Sequence, residues 1–107
     1  MDQFSNISVD HMKENASEAA SLLKSMSNVS RLLILCHLVD GEKSVSQLLE
    51  SMSISQSALS QHLAVLRREE LVTTTRVAQS IYYSLASVEV KGVLETLYRL
   101  YCAPLDS

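Results

Sequence analysis

Apolar residues recur at steps of three and four along most of the chain, and this periodicity predicts a largely helical fold. Over residues 10–26, "DHMKENASEAASLLKSM", Met12, Ala16, Ala19, Leu23 and Met26 fall on one stripe of a helix. Over 29–39, "VSRLLILCHLV", Leu32, Leu35 and Val39 combine with Ile34 and Leu38 into a face broad enough for a central core helix, with Asn28 in front as an N-cap. "DGEK" turns the chain at Gly41. Ser44-Val45-Ser46-Gln47 then matches a capping box and opens a short helix over 45–52, with Val45, Leu48 and Met52 inward. After a break at Ser53-Ile54, Ser55 caps a fourth helix that ends near Glu69. Its inner side is Leu59, Leu63 and Leu66, with Ala58 and His62 beside them.

The period then changes from helical to alternating. "LVTTTR" and "SIYYSL" are β-prone runs on either side of "VAQ", and Ile81, Tyr83 and Leu85 alternate with Ser80, Tyr82 and Ser84. A hairpin directly after a helix-turn-helix is a wing. A last helix over 87–102 starts at Ser87 and stops before Pro104. Its Val90, Val93, Leu94, Leu97, Leu100 and Tyr101 cover more than half its circumference, more than one small core can hide. The expected organisation is one domain, 1–107, mainly α with a β-hairpin wing. In it 45–69 form a helix-turn-helix, 71–86 the wing, and 10–26 and 87–102 the dimerisation helices of a homodimer.

The outer side of the fourth helix carries Gln56, Ser57, Ser60, Gln61 and Ala64 rather than the Lys and Glu that commonly fill a solvated helix face. Short amides and hydroxyls near a helix N-terminus suit contact with base edges in a major groove, where Gln pairs with adenine and Ser with several partners. On that face alone, DNA contact and an unpartnered polar surface are equally good readings. The wing adds weight to the first, since its tip, Arg76 to Gln79, can reach a neighbouring phosphate or minor groove. Arg76 also reads as an ordinary solvated charge. Tyr83 reads as hairpin packing, while Tyr82 stays open. The DNA-contacting set is therefore Ser55, Gln56, Ser57, Ser60, Gln61, Arg67, Arg68, Arg76 and Gln79.

A net charge of −3 over 107 residues argues against a basic DNA-binding protein until it is divided. Residues 1–54 sum to −3 and 87–107 to −1, whereas 55–86 carry Arg67, Arg68 and Arg76 against Glu69 and Glu70 and sum to +1. The helix-turn-helix and wing form the one net positive region, and pairing two copies on one surface strengthens it. The longest apolar run, "LLILC", is far short of the roughly 20 residues that cross a bilayer. Met1-Asp2-Gln3 lacks the basic start of a signal peptide. The expectation is a cytoplasmic, nucleoid-associated protein without membrane contact.

"SNVSRLLIL", "LSQHLAVLRREELV" and "AQSIYYSL" resemble the matching segments of the arsenic-repressor-type (ArsR/SmtB) winged-helix regulators, over residues 12 to 103. The resemblance implies a homodimer of order α-α-α-α-β-β-α that binds an inverted-repeat, A·T-rich operator in double-stranded DNA and releases it when a sensor site is occupied or oxidised. Many members hold metal through a Cys-Val-Cys run at the third helix, where this chain has Ser44-Val45-Ser46; hydroxyls are poor ligands for thiophilic ions. Others place Asp and His ligands on the last helix. The matching positions here are Ser87, Glu89, Leu100 and Ala103, which leave one oxygen ligand where zinc needs several. His11, His37 and His62 are scattered. His62 reads as packed against the helix-turn-helix scaffold, and His37 as a surface or interface residue. No metal and no cofactor are expected.

Cys36 and Cys102 remain. By composition alone they read as two unrelated small apolar residues. The resemblance adds that hemolysin-gene regulators and sulfide-responsive repressors carry one cysteine in each of these two elements and share the wing seen here as Ala78-Gln79-Ser80-Ile81-Tyr82-Tyr83. It implies a redox-sensing dithiol switch, Cys36 with Cys102, that responds to reactive sulfur or to oxidants such as peroxide. The same branch also implies an alternative, a silencer-displacing activator of virulence-type promoters without cysteine sensing. A third reading is a winged helix that docks protein. An enzyme is not expected, because the chain has no Cys-x-x-Cys, no Gly-rich phosphate loop and no Ser/His/Asp set on a recognisable scaffold.

Overall fold

The computed structural model describes residues 7–102. Its element order is α1 (Val9–Lys13), α2 (Ala16–Met26), α3 (Val29–His37), β1 (Lys43–Ser44), α4 (Val45–Ser51), α5 (Gln56–Arg68), β2 (Val72–Val77), β3 (Ser80–Leu85) and α6 (Val88–Tyr101). This is a winged helix-turn-helix, mainly helical with an antiparallel sheet.

Helix starts follow the capping chemistry. Ser8, Asn28, Ser44, Ser55 and Ser87 are the N-caps of α1, α3, α4, α5 and α6, and each side-chain oxygen accepts a backbone N–H three residues on. At Ser44 the box is closed both ways: Gln47 N–H donates to Ser44 Oγ at 3.2 Å, and Ser44 N–H donates to Gln47 Oε1 at 2.8 Å. The corner between α2 and α3 is fixed by Arg31, whose Nε donates to the Ser25 carbonyl at 2.7 Å.

Two expectations need correction. The first helix is not continuous over 10–26 but breaks at Glu14–Asn15, between α1 and α2. There the N–H groups of Glu14 and Asn15 bond three residues back, to the carbonyls of His11 and Met12, which tightens the turn and ends α1. Asn15, a poor helix former, stands at the break as the N-cap position of α2, with no side-chain cap bond. The stripe is corrected as well. Met26 is buried and Leu22 packs against the core, whereas Met12 and Leu23 are 50% and 56% exposed.

The second correction is an unanticipated strand. β1 pairs with β3, so the sheet has three strands in the order β1-β3-β2. In the hairpin Val72 faces Leu85, Thr74 faces Tyr83 and Val77 faces Ser80, leaving Ala78-Gln79 as a two-residue tip. Ala78 has φ 56°, a left-handed conformation that such tight loops demand.

The core joins Met26, Ile34, Leu35, Leu38, Leu48, Leu59, Leu63, Leu66, Leu71, Val72, Val90 and Leu94, with Tyr83 and Leu85 packed against it from the sheet. The inward residues expected for α3, α4 and α5 are in or against this core, with Ala58 and His62 half-buried. On α6 only Val90 and Leu94 are buried, while Leu100 and Tyr101 are 70% and 82% exposed. Among the described residues no helix is long and apolar enough to cross a membrane.

Candidate nucleic-acid interface and thiol pair

Helix α5 is turned by its leucines. Leu59, Leu63 and Leu66 anchor one side in the core, which leaves Gln56, Ser57, Ser60, Gln61 and Ala64 exposed on the other. Ser55 stands apart from that set. Its Oγ accepts the Ala58 N–H at 3.1 Å and lies 3.3 Å from Ser57 Oγ, so its hydroxyl is engaged in starting the helix.

The exit of α5 sets where the wing begins. Leu71 N–H donates to the Leu66 carbonyl at 2.8 Å and Glu70 N–H to the Arg67 carbonyl at 3.0 Å, with Leu66 and Leu71 both buried. This is a Schellman motif with its hydrophobic contact. Its left-handed position, φ 66°, is filled by Glu70 rather than glycine.

The arginines separate into different settings. Arg76 is exposed on β2, opposite Ile81 and next to the tip, and Gln79 is exposed at the tip. Arg67 is exposed at the end of α5. Arg68 is drawn to Glu69, with Nε 3.6 Å from Oε2. It also lines an open cleft of about 680 Å³ with Glu18, Glu69, Glu70 and Glu89, so its charge is met by carboxylates more than that of Arg76 is. The structure thus brings Gln56, Ser57, Ser60 and Gln61 together on one face, with Arg76 and Gln79 on the adjacent hairpin.

The two cysteines are free and exposed, Cys36 in the last turn of α3 and Cys102 at the C-cap of α6. The Cys36 pKa is raised, first by burial and then by the charge of a thiolate at Cys102. His37 is half-buried beside Cys36, and His11 is exposed. Among the described residues no group of three or more His, Cys, Asp or Glu is arranged to hold a metal ion. At the positions where relatives carry metal ligands, Ser44 is spent on its capping box and Ser87 on the cap of α6. Ala103 lies outside the described residues.

Residues 28–74, from the start of α3 through the helix-turn-helix into β2, match the model of the bacterial regulatory protein family arsR. The transcriptional activator HlyU of Vibrio cholerae is 51% identical over 96 residues, covering 90% of this chain and 89% of that protein. The chain belongs to the arsR family. It is a DNA-binding transcriptional regulator of that family, and the relatives it matches are regulators rather than enzymes. The biofilm growth-associated repressor of Agrobacterium fabrum is 41% identical, covering 90% of this chain and 82% of that protein. Among solved structures, reduced HlyU from Vibrio cholerae superposes with a TM-score of 0.81 at 52% identity, over 88% of this chain and 99% of that one. The repressor BigR from Xylella fastidiosa gives 0.86 at 38% identity, over 92% and 100%.

Sequence reasoning missed one element of this surface, β1, and with it the placement of Lys43. The available signal was the short polar run between Gly41 and the capping box, which a two-residue strand satisfies only once its partner is known.

Proposed function

We propose that this regulator works as a homodimer that reads an inverted-repeat, A·T-rich operator and releases it when reactive sulfur joins Cys36 to Cys102. The observation that carries the reading is the conjunction of an exposed Gln/Ser face on α5 with two exposed free thiols, one in the last turn of α3 and one at the C-cap of α6. Dimerisation is supported by apolar side chains that one subunit leaves in water: Met12 and Leu23 near one end, Tyr98, Leu100 and Tyr101 on α6. A two-fold pairing through these helices would set two copies of α5 about one DNA turn apart.

The chemistry balances with a persulfide as oxidant. A Cys102 thiolate attacks the terminal sulfur of R–S–SH, forming Cys102–S–SH and releasing RS⁻. Cys36 then loses its proton to solvent and attacks the sulfur bonded to Cys102, forming the disulfide and releasing HS⁻. Where a longer sulfane chain sits on Cys102, attack by Cys36 on the sulfur next to the terminal one, with HS⁻ leaving, gives a polysulfide bridge instead. The raised pKa of Cys36 disfavours its thiolate, which leaves the first attack to Cys102 and makes the Cys36 step the slower one. The bridge ties α3, a core helix, to α6, a helix of the proposed dimer interface. Moving a DNA-competent population from 99:1 to 1:99 requires a bias of about 5.5 kcal/mol between the two states.

Output follows promoter layout rather than the fold, and the 51% identity to a transcriptional activator favours activation by displacing a silencer as the second reading. Fluorescence anisotropy on promoter DNA tests the switch. Polysulfide should release wild type and leave the Cys36→Ser and Cys102→Ser proteins bound. Release of both variants as readily as wild type would remove cysteine sensing and leave the activator reading.

A further inference from the structure

Strand β1 carries Lys43 into the sheet of the wing. Lys43 lies opposite Tyr83 on one side of β3, and Thr74 lies opposite Tyr83 on the other. Residues directly opposite in a sheet point to the same face. Lys43, Tyr83 and Thr74 therefore form one row across the three strands, and Arg76 with Ile81 forms the next row toward the tip on that face. The face packs on the core through Val72, Leu85 and Tyr83, with Lys43 at its edge strand and Arg76 exposed beside the tip. Strand spacing and rise put the Cα atoms of Lys43 and Arg76 about 12 Å apart.

Among the described residues the ammonium of Lys43 has no carboxylate partner. It makes a 3.5 Å approach to the carbonyl of Gly41, and the ion pairs among the described residues are Asp10 with Lys13 and Arg68 with Glu69. The residue is half-buried, and a long stem of this kind can lie against protein while the ammonium exchanges one weak carbonyl contact for a phosphate. Its position in the chain gives an independent reason to look for a phosphate. Lys43 precedes Ser44, the N-cap of α4, and α4 is the first helix of the helix-turn-helix. When the second helix enters a major groove, the first crosses the DNA backbone.

We infer that Lys43 is a second backbone anchor of the DNA interface, holding a phosphate several nucleotides from the one reached by Arg76. This rests on the DNA-binding reading of α5 and the wing. A phosphate contact fixes register and affinity without reading bases. Lys43 should therefore contribute equally on every sequence.

The test is anisotropy of the full chain with two labelled duplexes, one of mixed sequence and one A·T-rich, over a range of salt concentrations. Removing one phosphate anchor makes the dependence of log K on log salt shallower by about 0.9, so Lys43→Gln in both subunits should reduce the slope by about 2. The loss in affinity should be the same factor on both duplexes. Lys43→Met, which keeps the apolar stem, should reproduce the loss, and Lys43→Arg should restore the wild-type slope. Lys24→Gln removes the same charge from α2, away from the sheet, and should keep the slope. A wild-type slope for Lys43→Gln and Lys43→Met overturns the inference while leaving the DNA reading intact, as does an equal loss in Lys24→Gln. If wild type binds neither duplex, the DNA reading fails and the anchor with it.

Discussion

Cys36, in the last turn of α3, is held above its ordinary pKa by burial and, in second place, by the charge of Cys102 at the end of α6. The two sulfurs belong to different elements far apart in sequence, yet the charge of Cys102 adds to the rise at Cys36.

Removing Cys102 should lower the Cys36 titration midpoint without returning it to the ordinary value, because burial is the larger cause and persists. The measurement is the pH dependence of Cys36 alkylation by mass spectrometry, in wild type and Cys102→Ser. The sign for stability follows. A raised folded pKa means the contribution of Cys36 is complete below the unfolded value of about 8.5 and is lost as pH rises through the folded one. Alkaline unfolding should therefore begin later in Cys36→Ser, as read by circular dichroism.

Ser55 and Ser57 sit two residues apart and should fail differently. Ser55 caps α5, so Ser55→Ala should lower stability by about 1 kcal/mol. Ser57 and Gln61 lie on the exposed face, and Ser57→Ala or Gln61→Ala should change stability by less than about 0.5 kcal/mol. Without the amide that reads a base, Gln61→Ala should weaken operator binding by about 1–3 kcal/mol and relax preference at one position. Urea unfolding and anisotropy on selected operator variants separate the two effects.

Glu70 occupies the left-handed residue of the Schellman turn, where a side chain is disfavoured by roughly 1 kcal/mol. Glu70→Gly should raise the urea midpoint, even though glycine increases the freedom of the unfolded chain. An unchanged or lower midpoint would mean that the strain at Glu70 is smaller than the unfolded-chain entropy that glycine adds.

Arg76 and Arg68 make a further contrast. Arg76→Ala should reduce operator affinity and the salt slope, since its charge is free at the wing. Arg68→Ala should affect the slope less, because Glu69 already meets that charge at 3.6 Å. Equal losses in a salt titration of the two variants would place Arg68 at the backbone as well.

Much of this fold is legible in the chain because its helices announce their own starts. Asn28, Ser44, Ser55 and Ser87 are local signals, and a cap needs nothing from elsewhere in the molecule. Lys43–Ser44 has no such signal, since two residues become a strand only through Tyr82 and Tyr83, far along the chain. The exposure of Met12 and Leu23 is hidden for a related reason: periodicity shows which residues share a face and not what covers it. The Gln/Ser surface of α5 follows directly from the leucine spacing. The influence of Cys102 on Cys36 depends on how α6 packs against the rest and cannot be read from either segment.

The most direct test of the sulfur switch is the intact mass of the protein after persulfide treatment under non-reducing conditions, with peptide mapping of the product. The account predicts one protomer with Cys36 and Cys102 joined, either two hydrogens lighter or heavier by added sulfur atoms less two hydrogens. Two separately modified cysteines, or a covalent link between protomers, would contradict it.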